Sequence, residues 1–355
     1  MSNINHVFSV VGVMSGTSLD GLDLAHILFK KSDDIWSFDL KKFETVPYSR
    51  KHLSFLKKTY ERKIDIKTSD IYFGEVISKY IERFTLKNQI KYDLISSHGH
   101  TIFHNPDEGF SIQIGSGEVI SKKLSKTVVC NFRQQDINLG GQGAPLVPVG
   151  DEYLFNKFSS CLNLGGISNI SYKIKSKRIA YDISPCNIIL NFISNKIGKK
   201  YDRDGKNAAS GNVNSELLKK LNSIDYCFQS FPKSLSLEYI EKKYFPIIND
   251  FDISKRDLLA TSSEHIAQQI SIVFNKEKIK NSLLSGGGAF NSNLLKRIRN
   301  YTETELIIPD KELIEYKEAI VFGFLGVLKY LNLNNCFSSV TGSSKDHSSG
   351  DIYKV

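Results

Sequence analysis

The segment GVMSGTSLDGLD, residues 12–23, places small residues, three hydroxyls and two carboxylates at an expected turn between strands. Small residues at such a turn expose backbone N–H groups, so the segment could cradle an anion. Asp20 and Asp23 offer oxygens to a hard cation such as Mg²⁺, which binds through few carboxylates and keeps several waters. The spacing matches neither the GxxxxGK[ST] loop nor the GxGxxG fingerprint, and a polar hairpin turn without a ligand is the alternative.

Two further glycine-rich segments could bring the backbone close to a ligand. LGGISN, residues 164–169, places Gly165 and Gly166 at a second strand turn, where they could hold the other end of a polyphosphate. SGGGAFN, residues 285–291, lies between a strand and a helix, and a helix N-terminus favours anions. A simple Gly-Gly turn and a tight strand-to-helix connection are the alternatives.

Three of the eight histidines lie in the segment SHGHTIFH, residues 97–104. An alternating strand would put His98, His100 and His104 on one side, as a metal cluster requires. Gly99 and the following Asn-Pro pair instead favour a turn, with the histidines hydrogen-bonded to a sugar or a phosphate.

Arg133 and Asp182 carry charges suited to recognition and catalysis. In NFRQQD, the planar fork of Arg133 suits a carboxylate or phosphate, and a structural pair with Asp136 is equally compatible with the spacing. Asp182 follows an apolar strand just before a helix, where a carboxylate could act as a general base toward a hydroxyl or water. A strand-end or N-cap role is the alternative for Asp182, and YDRDG at 201–205 supplies further carboxylates.

The elements that would position these residues repeat in the two halves of the chain. Each half opens with a strand, a glycine-bearing turn and a second strand, which predicts a hairpin. Alternation predicts strands over 7–14, 22–29, 36–46, 93–97, 111–114, 161–164, 167–174, 178–182 and 281–285. Helical periodicity predicts helices over 69–84, 187–197, 257–274 and 291–299.

This pattern predicts two similar α/β lobes facing a cleft. The most loop-like stretch between them is NLGGQGAPLVP, residues 138–148, so a boundary is expected between 125 and 150. We expect an N-terminal lobe of 1–128, with 330–355 packing back on it, and a C-terminal lobe of 129–329.

The composition excludes several classes of protein. The chain has 355 residues, of which 41% are hydrophobic and 24% charged, so it is neither wholly disordered nor fibrous. The net charge of +9 favours anionic partners, but the lysines are scattered, which argues against nucleic-acid binding. Five widely spaced cysteines without a CxxC pair suggest neither a disulfide framework nor a structural zinc site.

Nothing in the sequence predicts a membrane protein. The N-terminus lacks a signal-type apolar core, and the longest apolar stretch, near 319–328, is far shorter than the ~20 residues that span a bilayer. A cytoplasmic protein without membrane partners is therefore expected.

Taken in order, these motifs resemble those of the anhydro-N-acetylmuramic acid kinase family, nearly end to end. The motifs are GVMSGTSLDGLD, SHGHTIFH, NFRQQD with GGQGAPLVP, NLGGISNI, YDRDGKNAASG, LLSGGGAFN, EAIVFGFL from Glu318 and VTGSS. The resemblance implies an actin-like, hexokinase-like ATPase with two RNase H-like lobes around a central cleft. It also makes a homodimer plausible.

The resemblance further implies that the chain uses ATP and Mg²⁺ to hydrolyse the 1,6-anhydro bridge of anhydro-N-acetylmuramic acid and phosphorylate its 6-oxygen, in peptidoglycan recycling. Asp182 matches the catalytic base, and Thr101, Arg133, Glu318 and His98 fall on the sugar side, with Arg133 a partner for the lactyl carboxylate. The residues expected to bind the nucleotide are Gly16, Thr17, Ser18, Leu19, Asp20, Gly21, Leu22, Asp23, Gly165, Gly166, Gly286, Gly287 and Gly288. The resemblance assigns no metal ligands.

Two motifs depart from the family pattern. The common DTGPGN is here DISPCN, residues 182–187, and the common GQT is Gly99-His100-Thr101. These changes keep the base and are expected to reshape the sugar pocket. The alternatives are therefore an actin-like kinase for another amino sugar and a non-catalytic nucleotide-binding module.

Overall fold

The computed structural model describes residues 6–16, 19–33 and 35–355. The chain divides into two compact units: unit 1 comprises Met1–Leu154 with Tyr316–Val355, and unit 2 comprises Phe155–Glu315.

These units differ from the expected lobes in two segments, 129–154 and 316–329, which both lie in unit 1. The first follows a strand that is hydrogen-bonded into the sheet of unit 1, and the second is most of a helix that packs on that sheet. Both placements depend on long-range packing, which a local boundary signal does not report.

The described residues form twelve strands and fourteen α-helices, numbered in chain order. The strands are β1 His6–Ser15, β2 Gly21–Ser32, β3 Ile35–Pro47, β4 Leu94–Asn105, β5 Phe110–Ile114, β6 Thr127–Cys130, β7 Ser160–Leu164, β8 Ile167–Ile174, β9 Lys177–Pro185, β10 Asn281–Ser285, β11 Glu305–Ile307 and β12 Asp351–Tyr353. The helices are α1 Arg50–Tyr60, α2 Ile66–Lys87, α3 Gly117–Leu124, α4 Gln134–Asn138, α5 Pro148–Tyr153, α6 Asn187–Asn195, α7 Lys206–Ala209, α8 Ser215–Asn222, α9 Leu237–Lys243, α10 Phe245–Asn249, α11 Lys255–Lys276, α12 Ser292–Arg299, α13 Lys311–Tyr330 and α14 Ser338–Thr341.

Each unit contains one mixed sheet, and the two sheets share a strand order. In unit 1 the order is β12-β6-β4-β1-β2-β3, with β5 paired to β4; in unit 2 it is β11-β10-β7-β8-β9. In each unit the first three strands pair antiparallel with their neighbours. Two further strands then add in parallel on the other side of the first strand: β4 and β6 in unit 1, and β10 and β11 in unit 2. The predicted repeat of an α/β theme is therefore confirmed.

The predicted strands and helices all correspond to elements of the structure, but the segment around Gly99 does not form the predicted turn. β4 continues through Gly99 to Asn105 because β5 pairs antiparallel with it, from His100–Ile114 to Asn105–Phe110. The chain reverses only after Asn105, at a short 3₁₀ turn that begins with Pro106.

Buried apolar side chains hold each unit together. In unit 1 they come from the sheet and from α2, and include Val11, Leu24, Phe73, Ile95 and Phe84. In unit 2 they come from the sheet and from α6, α8, α11 and α12, and include Leu162, Ile189, Leu217, Ile266 and Leu294. Within the described residues, no helix combines the length and the hydropathy that a bilayer span requires. All five cysteines are free thiols.

The part of α13 that belongs to unit 1 lies unusually close to the sheet. A Cβ on Gly12 of β1 would lie 2.3 Å from the carbonyl oxygen of Ala319, and a Cβ on Gly326 would lie 2.3 Å from the Ser96 hydroxyl oxygen. Ser96 donates a hydrogen bond to the carbonyl of Phe322, on the same helix. Two small residues thus set the depth at which α13 docks, and with it the position of Glu318.

We expect Gly326→Ala to destabilise the protein by about 1–3 kcal/mol because the added methyl overpacks the contact with Ser96. Ser96→Gly should recover part of this loss by removing the side chain in the way. Urea unfolding of both single variants and the double variant measures the coupling energy.

Gly12→Ala is the matched control, because its methyl would meet backbone rather than a side chain, so Ser96→Gly should not rescue it. Additive effects of Gly326→Ala and Ser96→Gly would contradict the proposed contact.

Candidate active site

The β1–β2 turn in unit 1 is the predicted anion cradle. Ser15 ends β1, Gly21 begins β2, and the two strands pair up to Met14 and Asp23, which confirms the predicted hairpin. Leu19 has a left-handed backbone with φ of 60°, and Asp20 is exposed. Thr17 and Ser18 lie outside the described residues.

Asp23 belongs to the last residue pair of the β1–β2 ladder and is partly buried. Its Oδ1 accepts a hydrogen bond of 2.6 Å from the Thr45 hydroxyl on β3. That hydroxyl also lies 3.0 Å from the Tyr316 hydroxyl. Asp23 is close enough to Glu318 for its charge to raise the pKa of the Glu318 carboxyl. Two carboxylates therefore share one region of unit 1.

Glu318 lies on α13 with its side chain exposed to solvent. Desolvation by the surrounding protein raises the pKa of its carboxyl. The charge of the nearby Arg133 lowers this pKa, and the charge of Asp23 raises it. The structure thus brings the predicted residues Glu318, Arg133 and Asp23 into one electrostatically coupled group.

The guanidinium of Arg133 is anchored on two sides. Its Nη1 donates to the carbonyl of Gly143 at 2.7 Å, while Nε and Nη2 donate to Nε2 of His98 at 3.1 and 2.8 Å. Three of its five N–H donors are therefore used, which leaves two, one on each terminal nitrogen. Burial lowers the pKa of Arg133 to about 10, so the group stays charged at neutral pH, and its free edge suits a carboxylate.

His98 serves Arg133 as a neutral acceptor. Its Nδ1 lies 3.0 Å from the carbonyl of Gly99, which requires a proton on Nδ1 and leaves the lone pair of Nε2 for Arg133. Burial, and then the charge of Arg133, lower the pKa of His98 well below its usual value. The alternative of a structural Arg133–Asp136 pair is not what the structure shows, because His98 and Gly143 are the partners of the guanidinium.

His100 is buried in a continuous chain of hydrogen bonds. Its Nδ1 lies 2.7 Å from the hydroxyl of Ser15, which lies 2.5 Å from the hydroxyl of Tyr48. Its Nε2 lies 2.9 Å from the hydroxyl of Tyr60, which donates to the carbonyl of Thr101 at 2.8 Å. The departure from GQT to GHT is thus an internal bond between the hairpin and β4. It is not a group facing a ligand.

The histidines of β4 do not form the metal cluster considered above. Nitrogens of His98 and His100 are taken as described, and Nδ1 of His104 bonds the hydroxyl of Ser111 at 2.9 Å. Thr101 is partly buried, and its hydroxyl has only a long contact of 3.4 Å from Gln113. Among the described residues this hydroxyl has no shorter hydrogen bond, so most of its hydrogen-bonding capacity remains.

The glycine segments of unit 2 lie against each other. Gly286 has φ of +76°, and a Cβ on it would lie 2.4 Å from the Asn163 side chain and 2.9 Å from the backbone nitrogen of Gly165. Asn187, at the start of α6, donates from its side chain to the carbonyl of Leu164 at 2.9 Å. The predicted Gly165–Gly166 and Gly286–Gly288 motifs therefore form one backbone surface.

The YDRDG loop packs beside this surface. Asp204 accepts a hydrogen bond from the backbone N–H of Ser292, the first residue of α12, at 3.0 Å. Asp202 is buried and accepts from the backbone N–H groups of Asn207 and Ala208, both at 2.9 Å. The carboxylates of this loop thus accept hydrogen bonds from nearby backbone N–H groups. The surroundings of Asp182 are different.

Asp182 lies in β9, opposite Asn169, at a bulge in the β8–β9 ladder. Its Oδ2 accepts the backbone N–H of Leu235 at 2.8 Å, and the described residues give its Oδ1 no hydrogen bond. The N-cap of α6 is Cys186, so the N-cap alternative for Asp182 is wrong. Burial raises the pKa of Asp182, while the Leu235 N–H and Lys233 oppose the shift.

Tyr226 and Lys233 support Asp182 and carry no motif that would reveal them in the sequence. The Tyr226 hydroxyl donates to the carbonyl of Asp182 at 2.7 Å. Lys233 lies 4.4 Å over the Tyr226 ring and donates to the Tyr226 carbonyl at 3.3 Å. Both come from irregular chain about 50 residues away, where periodicity gives no signal.

Ser184 and Cys186, two residues of DISPCN that differ from the family pattern, have their side chains buried within unit 2. The Ser184 hydroxyl is buried 3.0 Å from that of Ser168, and Cys186 is part of the hydrophobic core. Burial raises the pKa of the Cys186 thiol to about 12, so the thiol stays neutral. The expected effect on the sugar pocket is therefore at most indirect.

The burial of His100 predicts a pH-dependent stability. Burial lowers its pKa to about 4, so between its unfolded value of 6.5 and pH 4 the unfolded state alone takes up the proton. Stability is therefore lost as pH falls through this window, by up to about 3 kcal/mol for this group.

His100→Gln removes this titration, so we expect the stability gap between variant and wild type to narrow from pH 7 to about pH 4.5 in urea unfolding. His6→Gln, at the exposed end of β1, is the control. A gap that stays constant with pH would contradict a neutral, buried His100.

Comparison with known proteins identifies relatives of this chain. A family model described as anhydro-N-acetylmuramic acid kinase matches residues 8–355. A protein of Sulfurimonas denitrificans named anhydro-N-acetylmuramic acid kinase is 33% identical, covering 97% of this chain and 99% of the relative. A relative of the same name from Clostridioides difficile is 33% identical, covering 94% of each chain. The solved structure of component A of (R)-2-hydroxyglutaryl-CoA dehydratase from Acidaminococcus fermentans is 12% identical in sequence. The match covers 91% of this chain and 99% of that protein's chain, with a TM-score of 0.45.

Proposed function

This chain belongs to the anhydro-N-acetylmuramic acid kinase family, and we propose on that premise that Asp182 is its general base. The chain is an ATP-dependent sugar kinase that acts on 1,6-anhydro-N-acetylmuramic acid. The observation that carries the role of Asp182 is its geometry: one oxygen is held by the Leu235 N–H and the other is open.

The reaction joins a hydrolysis to a phosphoryl transfer. Water forms a bond to the anomeric carbon as the bond from that carbon to the bridging 6-oxygen breaks. The released 6-oxygen bonds the γ-phosphorus of ATP as the bond to the ADP oxygen breaks. The proton lost by water passes to Asp182 and then to solvent. The products are N-acetylmuramic acid 6-phosphate and ADP.

Two features of Asp182 suit it to take a proton from water. Its raised pKa makes it a stronger base than an exposed carboxylate, and the hydrogen bond from Leu235 fixes the direction of the open oxygen. The Leu235 N–H and then Lys233 stabilise the ionised carboxylate and limit the rise in its pKa. One base is sufficient because the phosphoryl acceptor is itself the leaving oxygen.

We assign sugar recognition to Arg133, Thr101 and Glu318. The two remaining N–H donors of Arg133 can bind both oxygens of the lactyl carboxylate. The Thr101 hydroxyl and the exposed Glu318 carboxylate offer hydrogen bonds to sugar hydroxyls. His98 does not contact the sugar in this assignment; it positions Arg133.

We assign phosphate binding to residues 16–23 of unit 1 and to the joined glycine surface of unit 2. Asp20 and Asp23 offer the carboxylate oxygens that Mg²⁺ favours, since it binds through few carboxylates and keeps several waters. Bound there with ATP, Mg²⁺ would neutralise phosphate charge.

We expect Asp182→Asn to lower kcat by about 100-fold or more, because the amide keeps the acceptor for Leu235 but cannot take a proton. A coupled ADP-release assay with the anhydro sugar measures this. The acid limb of the wild-type kcat/KM profile, on which activity falls with pH through the raised pKa of Asp182, should be absent from the residual activity.

Asp225→Asn, an exposed carboxylate of unit 2, should leave kcat unchanged. A fully active Asp182→Asn enzyme would overturn the base assignment alone. Wild-type enzyme that releases no sugar-dependent ADP, or whose product lacks the mass of one added water, would overturn the proposed reaction.

We expect Arg133→Met to raise KM for anhydro-N-acetylmuramic acid about 10–100-fold, since a charged hydrogen-bonded pair is lost. The KM for 1,6-anhydro-N-acetylglucosamine, which lacks the lactyl carboxylate, should change far less. Steady-state kinetics on both sugars provide the comparison.

Arg83→Met, which removes an exposed arginine paired with Glu44 in unit 1, is the control for loss of a positive charge. Equal losses on both sugars would assign Arg133 a structural role through His98 and Gly143, against carboxylate recognition.

A further inference from the structure

A buried group of three potential metal ligands lies in unit 1, at residues that the kinase reaction does not use directly. Asp136 on α4, Cys336 and His347 each offer one ligand atom, and these atoms all lie within 4.8 Å of one another. Asp136 and Cys336 are fully buried, and His347 is 5% exposed. No cysteine spacing in the sequence indicates this group, because Asp136 is 200 residues from Cys336.

We propose that Asp136, Cys336 and His347 form a binding site for a divalent transition-metal ion, Zn²⁺ in particular. The ligand set of one thiolate, one imidazole and one carboxylate is of the type that Zn²⁺ takes.

The distances are close to those that a metal requires. Cys336 Sγ lies 3.0 Å, and His347 Nε2 3.7 Å, from the same oxygen, Asp136 Oδ1. Tetrahedral Zn²⁺ with bonds of 2.0–2.3 Å separates its ligand atoms by about 3.3–3.5 Å. The two separations from Asp136 Oδ1 are thus within about half an ångström of these values, the third is at most 4.8 Å, and the fourth corner would be left for water.

The backbone holds Cys336 and His347 as a pair before any metal binds. They form an isolated antiparallel bridge, with N–H···O distances of 3.1 Å in both directions. Residues opposite each other in such a bridge project their side chains to the same side. Both side chains therefore reach Asp136 from one rigid segment.

The histidine is already in the tautomer that a metal needs. Its Nδ1 lies 3.1 Å from the carbonyl of Lys345, so the proton is on Nδ1. Its Nε2 is buried and has no hydrogen-bond partner among the described residues, although it lies on the side of Asp136. An imidazole with Nδ1 on a carbonyl and a bare, buried Nε2 is the arrangement of a metal-binding histidine.

Charge balance also favours a divalent ion. A thiolate, a carboxylate and a neutral imidazole sum to −2, so Zn²⁺ makes the buried group neutral and removes the cost of an unbalanced charge. Asp136 keeps its other oxygen on the Gly143 N–H at 2.7 Å, so binding through Oδ1 leaves that contact intact. The thiol proton is released to solvent on binding. The metal would link α4 to the C-terminal segment 336–347.

The test is metal binding by the full, untagged chain after treatment with a chelator. Equilibrium dialysis against Zn²⁺ should give one ion per chain, and Co²⁺ should give a thiolate-to-metal charge-transfer band. Cys336→Ser and His347→Gln should each weaken binding about 10-fold or more and remove or reduce the band. Zn²⁺ should raise the Tm of the wild type and not that of the variants.

Cys227→Ser and His6→Gln, which remove a cysteine and a histidine elsewhere, should bind as the wild type does. Zinc X-ray absorption on the wild type, which should show one sulfur ligand, keeps the test independent of how the variants fold. Binding that is equal in Cys336→Ser and wild type, or a spectrum without sulfur ligation, would overturn the site. None of these measurements depends on kinase activity.

Discussion

The buried carboxylate of Asp136 is the constraint on which the orientation of Arg133 depends. A carboxylate without solvent must be hydrogen-bonded, and here Oδ2 accepts the N–H of Gly143 while Oδ1 accepts the Thr341 hydroxyl at 2.7 Å. The loop fits only because Gly141 has no side chain, since a Cβ there would lie 2.2 Å from Oδ2. Gly143 then presents its carbonyl to Arg133. One buried charge thus orients the guanidinium without touching it.

His98 and His100 of β4 are neutral members of the hydrogen-bonded networks of unit 1. Burial lowers the pKa of both His98 and His100, so neither adds a positive charge near Arg133. His98 can therefore accept from the guanidinium, which a protonated ring could not do. His100 ties Ser15, at the hairpin, to the Tyr60 hydroxyl. Arg133 therefore keeps its positive charge beside a neutral His98, which suits the proposed recognition of a carboxylate.

The sequence predicted what local patterns encode. Both hairpins, the glycine connections and Asp182 beside α6 follow from alternation and turn residues within about ten positions. The partners of these groups could not be predicted in this way. Arg133 meets His98 across 35 residues, and Asp182 meets Leu235 across 53, with whole helices or strands in between. Gly99 predicted a turn because glycine favours one, but pairing with β5 keeps it within the strand, where it has a left-handed φ of 71°.

The shared strand order of the two units does not make their glycine turns equivalent. In unit 2 the first N–H groups of α6 are consumed internally: Asn187 donates to the carbonyl of Gly165, and Cys186 and Ile188 to that of Gly166. A helix N-terminus used in this way cannot offer the same donors to phosphate. The Gly286–Gly288 segment lies in close contact with the backbone of this turn, and we propose its N–H groups as the anion donors of unit 2. We therefore propose that the strand-to-helix connection makes the nucleotide contact in unit 2, with the hairpin turn as the support on which that connection packs.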